Sequence, residues 1–300
     1  MKRAHILHDL SVGMLMFGVC IHCSCANDEN KTIDGNGDTE STDSTKEDGF
    51  ATPESVLCDH QSDVYLVSNI GGKPGDKDDN GFVSKLSPDG GMIERKWIDG
   101  ESADVNLNAP KGMAIYGEEL FVADIDTLRI FDRQTGSRRE EIEIPVASFL
   151  NDVAVDSQGN VYVTDSSEDT VFKILNDRTF IEFAKGDPLT GPNGLAVFND
   201  LIWVTVGSEK KIVGLTQQGE VAQERTTPVD GLDGLVILED GTFIVSSWSG
   251  EAVYWAAPEG EFEELFTGLK APADIGFDAT RNAVLIPLFE DDEILIKPLP

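Results

Sequence analysis

The chain has 300 residues, of which 40% are hydrophobic and 26% charged, and its formal net charge is −32. This acidic field disfavours binding to nucleic acids and to anionic membrane surfaces, because both are recognised through clustered Lys and Arg. A chain of this length and hydrophobic content can form one domain with a large core.

Residues 1–25 are typical of an export signal. Two basic residues open the segment, and the apolar run over residues 10–21 is shorter than the roughly 20 residues that a membrane-spanning helix needs. The cysteines at its end resemble the lipidation site of bacterial lipoproteins, which predicts cleavage before a lipidated Cys25. Lipidation at Cys20, or plain secretion to the periplasm or the medium, is the alternative. We therefore expect an exported protein that contacts the membrane only through its lipid.

Residues 26–50 are rich in Asp, Glu, Ser, Thr, Asn and Gly. Such a segment buries too little apolar surface to offset the entropy of ordering, which predicts a disordered acidic linker. The folded domain is therefore expected over residues 51–300. Cys58 is its only cysteine, so the domain has no internal disulfide.

One structural unit recurs along residues 51–300. It begins with two short strands joined by a tight turn, as in residues 151–165, where Ser-Gln-Gly-Asn separates two runs rich in β-branched residues. Units of about four strands bury both faces only when they are arranged radially around a channel. The repeat predicts an all-β protein, a six-bladed β-propeller of four-stranded antiparallel blades. The same second-strand position recurs every 41 residues at Phe121, Tyr162, Trp203, Ile244 and Leu285, after a first copy at Tyr65.

The sixth unit shows only three strand signals, near Ile275, Leu285 and Ile294, before the chain ends. Its fourth strand must be missing or supplied from elsewhere. We expect residues just before or around Thr52 to pair there, because joining the two ends of the chain closes the ring.

The first strand of each blade is expected to line the channel, so the residues that open these strands share one mouth. The loop over residues 69–81 is long enough to overhang this mouth. Trp248 lies in another mouth loop, where it would form an apolar lip with Leu288 and Phe289 or, alternatively, pack sideways on the next blade. The opening residues are Glu54, Lys111, Asn151, Asn193, Asp233 and Ala273.

Histidine is scarce in the predicted domain. Three of the four histidines lie in the export signal, and His60 is predicted in a turn at the opposite end of the channel. Ser-His-Asp, Cys-His and conventional zinc sites are therefore excluded from the mouth. Oxygen ligands remain: Glu54, Asn193 and Asp233 offer two carboxylates and an amide carbonyl, a set that suits calcium or magnesium.

These residue types also have purely structural roles. Asn and Asp at strand openings commonly accept hydrogen bonds from nearby backbone N–H groups in turns. This is the role that we expect for Asp124 and Asp165 at the ends of second strands. Lys111, the only cation among the opening residues, would hold a substrate carboxylate or, alternatively, form a salt bridge with Asp124.

Four opening residues carry a resemblance to a known family. Glu54, Asn151 in Leu-Asn-Asp-Val-Ala-Val-Asp, Asn193 in Pro-Asn-Gly-Leu-Ala and Asp233 in Leu-Asp-Gly-Leu follow the order found in the regucalcin/gluconolactonase (senescence marker protein) family of six-bladed propellers. The resemblance implies that Glu54, Asn193 and Asp233 bind a divalent metal. It also implies that Asp233 acts as general base and that Asn151 contacts the substrate or a metal-bound water.

The sequence departs from the family pattern at two positions. Phe149 and Val153 stand where the family often has an arginine and a glycine, and both departures weaken the case for a sugar-acid lactone as substrate. Two functions remain open. The first is a hydrolase of a lactone or related ester that depends on a divalent cation, most simply calcium, with magnesium or another metal as the alternative. The second is a non-catalytic, surface-tethered propeller that binds a small ligand, glycan or protein through the same mouth.

Overall fold

The computed structural model describes residues 49–300. The predicted export signal, Cys25 and all but the last two residues of the predicted linker lie outside the described residues. No helix long and apolar enough to cross a membrane occurs in residues 49–300. The described chain folds into six antiparallel sheets, and neighbouring strands in each sheet are consecutive in sequence.

The strands are numbered in chain order. The first three sheets contain β1 (Pro53–Asp59), β2 (Val64–Asn69), β3 (Phe82–Leu86) and β4 (Met92–Asp99); β5 (Pro110–Tyr116), β6 (Glu119–Asp124), β7 (Thr127–Asp132) and β8 (Arg138–Glu143); and β9 (Leu150–Val155), β10 (Val161–Asp165), β11 (Thr170–Ile174) and β12 (Phe180–Lys185). The last three contain β13 (Pro192–Phe198), β14 (Leu201–Val206), β15 (Lys211–Leu215) and β16 (Val221–Thr226); β17 (Leu232–Ile237), β18 (Phe243–Ser247), β19 (Ala252–Ala256) and β20 (Glu263–Thr267); and β21 (Gly276–Asp278), β22 (Ala283–Leu288) and β23 (Glu293–Pro298).

The core lies between the blades rather than within one layer. Six clusters of buried apolar side chains each join two neighbouring blades, and together they run around the whole ring. Second strands are buried along nearly their full length, whereas fourth strands such as β16 are mostly exposed. The six-bladed propeller is therefore confirmed. The residues of the 41-residue repeat are all buried: Tyr65, Phe121, Tyr162, Trp203, Ile244 and Leu285.

Blade six closes the ring with three strands in the described part of the chain. The residues around Thr52 do not add a fourth strand, although they do contact this blade. The Thr52 backbone N–H donates to Asp292 Oδ1 at 2.7 Å, and Phe50 packs against the buried cluster that joins blade one to Leu285 of blade six. The ring is joined where the Asp274 backbone N–H donates to the Glu54 carbonyl at 2.9 Å.

Candidate functional site

A bulge near the start of the first strand places each opening residue toward the channel. In blade four, Pro192 pairs with Val206 and Leu195 with Val204, so two residues, Asn193 and Gly194, face one residue of β14. Blades one, two, three and five show the same irregularity. A bulge bends the strand and re-aims its side chains, which explains how consecutive blades present their opening residues to one mouth.

A hydroxyl in the second strand fixes this bulge to the next blade. Thr205 Oγ1 accepts from the Gly194 N–H at 2.7 Å and donates to the Asp233 carbonyl at 2.8 Å. Thr164 and Ser246 make the equivalent pairs of bonds in blades three and five. These three hydroxyls are also spaced by 41 residues, a signal that sequence reasoning missed.

The residues predicted for the site line one cavity of about 340 Å³ at this mouth. Ile70 and Pro74 of the long loop also line it, so the loop overhangs the mouth as expected. Ala273 is buried and does not line the cavity. The lining residues are Glu54, Ile70, Pro74, Lys111, Phe149, Asn151, Asn193, Gly207, Gly231, Leu232, Asp233, Trp248 and Phe289.

The three predicted metal ligands have buried oxygen atoms without hydrogen-bond partners. Within residues 49–300, five buried side-chain atoms lack such a partner, and three of them are Glu54 Oε2, Asn193 Oδ1 and Asp233 Oδ1. An unpaired buried polar atom lowers the stability of the fold by about 1–3 kcal/mol. Three such oxygens in one cavity therefore indicate a bound group that coordinates them. Two carboxylates and an amide oxygen fit a hard divalent cation such as calcium.

Burial, together with the charges around this cavity, raises the pKa values of its carboxyl groups. Burial, followed by repulsion from Asp274, raises the pKa of Asp233 to about 8, while the side chains of Trp248 and Asn193 oppose part of the rise. Burial also raises the pKa of Glu54 well above its ordinary value, with Asp233 and Asp274 adding to the effect. These carboxyl groups therefore favour the bound proton, and a cation at the same place would replace it.

A second pair of carboxylates, which sequence reasoning missed, lies one residue deeper in the channel. Asp152 accepts from the backbone N–H groups of Leu195 and Val153, at 2.5 and 2.6 Å. Asp274 Oδ2 accepts from Ser55 Oγ at 2.5 Å, and burial raises the Asp274 pKa to about 7. These two groups are anchored by the inner strands and place two more carboxyl groups beneath the mouth.

Lys111 is almost fully buried and does not contact Asp124. Its Nζ donates to the carbonyls of Pro74 and Ala109, both at 3.0 Å, and lies 4.4 Å from the centre of the Phe149 ring. Asp124 instead pairs with Arg129, so the alternative role of Lys111 as its partner is wrong. Burial lowers the pKa of Lys111, and the nearby Glu54 opposes this change.

Asp165 has the turn role that its sequence context predicts. Its carboxylate accepts from the backbone N–H groups of Ser148, Phe149, Ser167 and Glu168. Asp124 likewise caps the backbone of the loop before β5. These saturated carboxylates contrast with the unpaired oxygen of Asp233.

The aromatic lip forms with two of its three predicted members. The Trp248 and Phe289 ring centres are 4.9 Å apart, and Trp248 remains 37% exposed. Leu288 does not take part, because it is buried in the core between blades five and six. Asn151 lies deeper, where its Nδ2 donates to Ser166 Oγ at 3.0 Å.

The opposite mouth holds a mixed group that sequence reasoning did not assemble. Ligand-type atoms of Cys58, His60 and Asp278 lie within 4.8 Å of one another. Asp278 already accepts from the Tyr65 hydroxyl and from Arg281, which occupy one of its oxygens, and from two backbone N–H groups at the other. This carboxylate is therefore saturated, and burial raises the Cys58 pKa to about 12, which disfavours the thiolate that a metal requires.

No family model and no curated protein matches the chain. Solved structures do match it at the level of the fold. One is a streptogramin B lyase, with 12% identity and a TM-score of 0.62 over 84% of this chain and 96% of the lyase. Another is a catalytically inactive histidine-to-alanine variant of virginiamycin B lyase from Staphylococcus aureus with quinupristin, with 15% identity and a TM-score of 0.59 over 83% and 95% of the two chains. At these identities the likeness establishes the propeller fold.

Proposed function

We propose that this protein hydrolyses a lactone or a related ester at the mouth that Glu54, Asn193 and Asp233 line, with a divalent cation, most simply calcium, as cofactor. The observation that carries the proposal is the set of three buried, unpaired oxygens in one cavity. When bound there, the cation would polarise the acyl carbonyl and lower the pKa of a water molecule.

The residues of the mouth have distinct roles in this reaction. Asp233 accepts a proton from the attacking water and later returns it, which is the role of a general acid–base carboxylate. The water oxygen forms a bond to the acyl carbon, the bond to the leaving oxygen breaks, and the proton passes from Asp233 to that oxygen. Asn151 orients the carbonyl or the water, and Lys111 contributes positive charge at the wall.

The chemistry of the structural neighbours does not transfer directly. The virginiamycin B lyase variant is inactive with alanine in place of a histidine. Among residues 49–300 of this chain, the sole histidine is His60, which lines a different cavity at the opposite mouth. A carboxylate base therefore fits this mouth better than a histidine.

A non-catalytic binding function uses the same cavity. The exposed Trp248, whose ring packs at a tilt against Phe289, favours it, because exposed aromatic rings at a cavity entrance bind ligands whether or not a reaction follows. A measurement of turnover distinguishes the hydrolase from the non-catalytic binding protein.

The test is a calcium titration of chelator-treated protein, followed by thermal shift, together with a lactone and ester panel. Saturable stabilisation and metal-dependent turnover in the wild type, both reduced in Asp233→Asn, support the hydrolase. Saturable binding without turnover supports the binding function. Absence of any response to calcium, magnesium or manganese refutes the metal site.

A further inference from the structure

The walls of the mouth are mostly apolar. The apolar side chains come from blades one, three, five and six, so they surround the cavity instead of lining one side. The aromatic side chains among them are held in place by neighbours: Phe149 lies under the Lys111 amine, and Phe289 packs against Trp248 and near Ile70. The side chains that form this apolar wall are Ile70, Pro74, Phe149, Leu232, Trp248 and Phe289.

The polar groups of the mouth are few and already engaged. Lys111 uses two of its three N–H groups on backbone carbonyls, and Asn151 Nδ2 donates to Ser166. The unpaired oxygens of Glu54, Asn193 and Asp233 are the set assigned to the cation. A polyhydroxylated ligand would leave several hydroxyls without partners against the apolar wall, and each such hydroxyl weakens binding.

We infer that the substrate is a lactone or ester that carries an alkyl or aryl group, rather than a sugar-acid lactone. The inference rests on the proposed function. The ester group lies against the polar floor, and the apolar group lies among the rings of Phe149, Trp248 and Phe289. Hydrolysis of such a lactone adds one water across the acyl C–O bond and yields an alkyl- or aryl-substituted hydroxy acid.

The test uses γ-lactones with unbranched side chains of increasing length, from γ-butyrolactone to γ-nonalactone, compared with D-glucono-δ-lactone. We expect kcat/KM to rise with each methylene by up to about fourfold until the cavity is filled, which is the gain from burying one CH₂ group. The sugar lactone should be the poorest substrate of the panel.

Two tryptophan variants give a matched comparison. Trp248 and Trp255 are equally exposed, at 37% and 36%, but Trp255 lies on β19, outside the cavity lining. Trp248→Ala should flatten the dependence of kcat/KM on chain length, whereas Trp255→Ala should leave it unchanged. The slope across the series is the informative readout, because a general loss of activity shifts all substrates equally.

Binding is measured separately by isothermal titration calorimetry of calcium-loaded protein, a readout that does not depend on Trp248 as a fluorophore. If no lactone is hydrolysed but the wild type binds the longer lactones saturably and Trp248→Ala binds them more weakly, the hydrolase proposal fails and the ligand class stands. If the sugar lactone is the best substrate and chain length has no effect, the hydrolase stands and the inferred class is wrong. The inference is also overturned if neither the binding affinity nor kcat/KM depends on side-chain length in either tryptophan variant.

Discussion

Replacing Asp233 by Asn should stabilise the metal-free protein while it weakens the response to calcium. In the wild type, burial and the nearby Asp274 raise the Asp233 pKa from 3.8 to about 8. The folded protein therefore holds a proton that the unfolded chain releases above pH 4. Stability is lost as the pH rises from about 4 through about 8. An amide does not ionise, so the Asp233→Asn variant should not lose stability at this position as the pH rises.

The size of the effect follows from the same values. A pH of 7 is about three units above 3.8, the ordinary pKa of the Asp233 carboxyl in the unfolded chain, so that carboxyl is ionised. In the folded protein the same carboxyl is still mostly protonated at pH 7. Each unit corresponds to about 1.4 kcal/mol, so the variant should gain up to about 4 kcal/mol at pH 7 and little at pH 4. In a domain of this size that gain raises Tm by roughly 8–16 °C.

The assay is thermal unfolding in chelator from pH 4 to pH 9, repeated with calcium. Asp165→Asn is the matched control. The Asp165 carboxylate accepts hydrogen bonds from four backbone N–H groups, so replacing it by an amide should destabilise the folded protein. Calcium should stabilise the wild type more at pH 8 than at pH 5, and it should stabilise Asp233→Asn much less at either pH. A less stable Asp233→Asn with no dependence on pH would refute the reasoning and assign Asp233 a structural role.

Three further predictions concern positions outside the ligand set. Thr205→Val removes the hydroxyl that joins the blade-four bulge to the Asp233 carbonyl, so the free energy of unfolding should fall by about 1–3 kcal/mol and calcium should bind more weakly; unchanged urea denaturation would contradict this. Phe50→Ala removes a side chain that packs against the cluster joining blades one and six and should lower Tm by roughly 4–8 °C, whereas an unchanged Tm would mean that the ring closes without Phe50. We also propose that the protein is lipid-anchored: Cys25→Ala should move it from the membrane to the soluble fraction, and lipid labelling that persists without both Cys25 and Cys20 would contradict the anchor.

The fold could be predicted from sequence because one physical requirement repeats. A residue such as Phe121 or Trp203 packs between two blades, so its position must be apolar in every unit, and a 41-residue period becomes visible. The positions of the mouth residues could be predicted from the same repeat, since each opening residue precedes that core residue by a nearly constant number of residues. The sequence did not indicate which of them would lack partners.

The parts that were missed depend on pairing register and on contacts between blades. Asp152 and Asp274 occupy the position at which three other blades have glycine, so nothing local marks them as channel residues. At Gly234 a Cβ would lie 2.3 Å from the Ile275 nitrogen, which shows how closely the inner strands approach one another there. The sequence left two partners open for Lys111, a substrate carboxylate and Asp124, because the pairing of Asp124 with Arg129 on the neighbouring strand is not evident from the sequence.

The two kinds of aspartate in this chain provide the strongest argument for a ligand at the mouth. Where an aspartate has a structural role, as at Asp165, its oxygens are saturated by backbone N–H groups. Asp233 opens its blade in the same way, yet one of its oxygens is buried without a partner, as is an oxygen of Glu54 two blades away around the ring. Such an arrangement does not stabilise the fold, because each buried polar atom without a partner lowers the free energy of unfolding. A cation that binds both carboxylates removes this cost and displaces the proton that Asp233 otherwise holds, which leaves the carboxylate able to accept a proton from the attacking water.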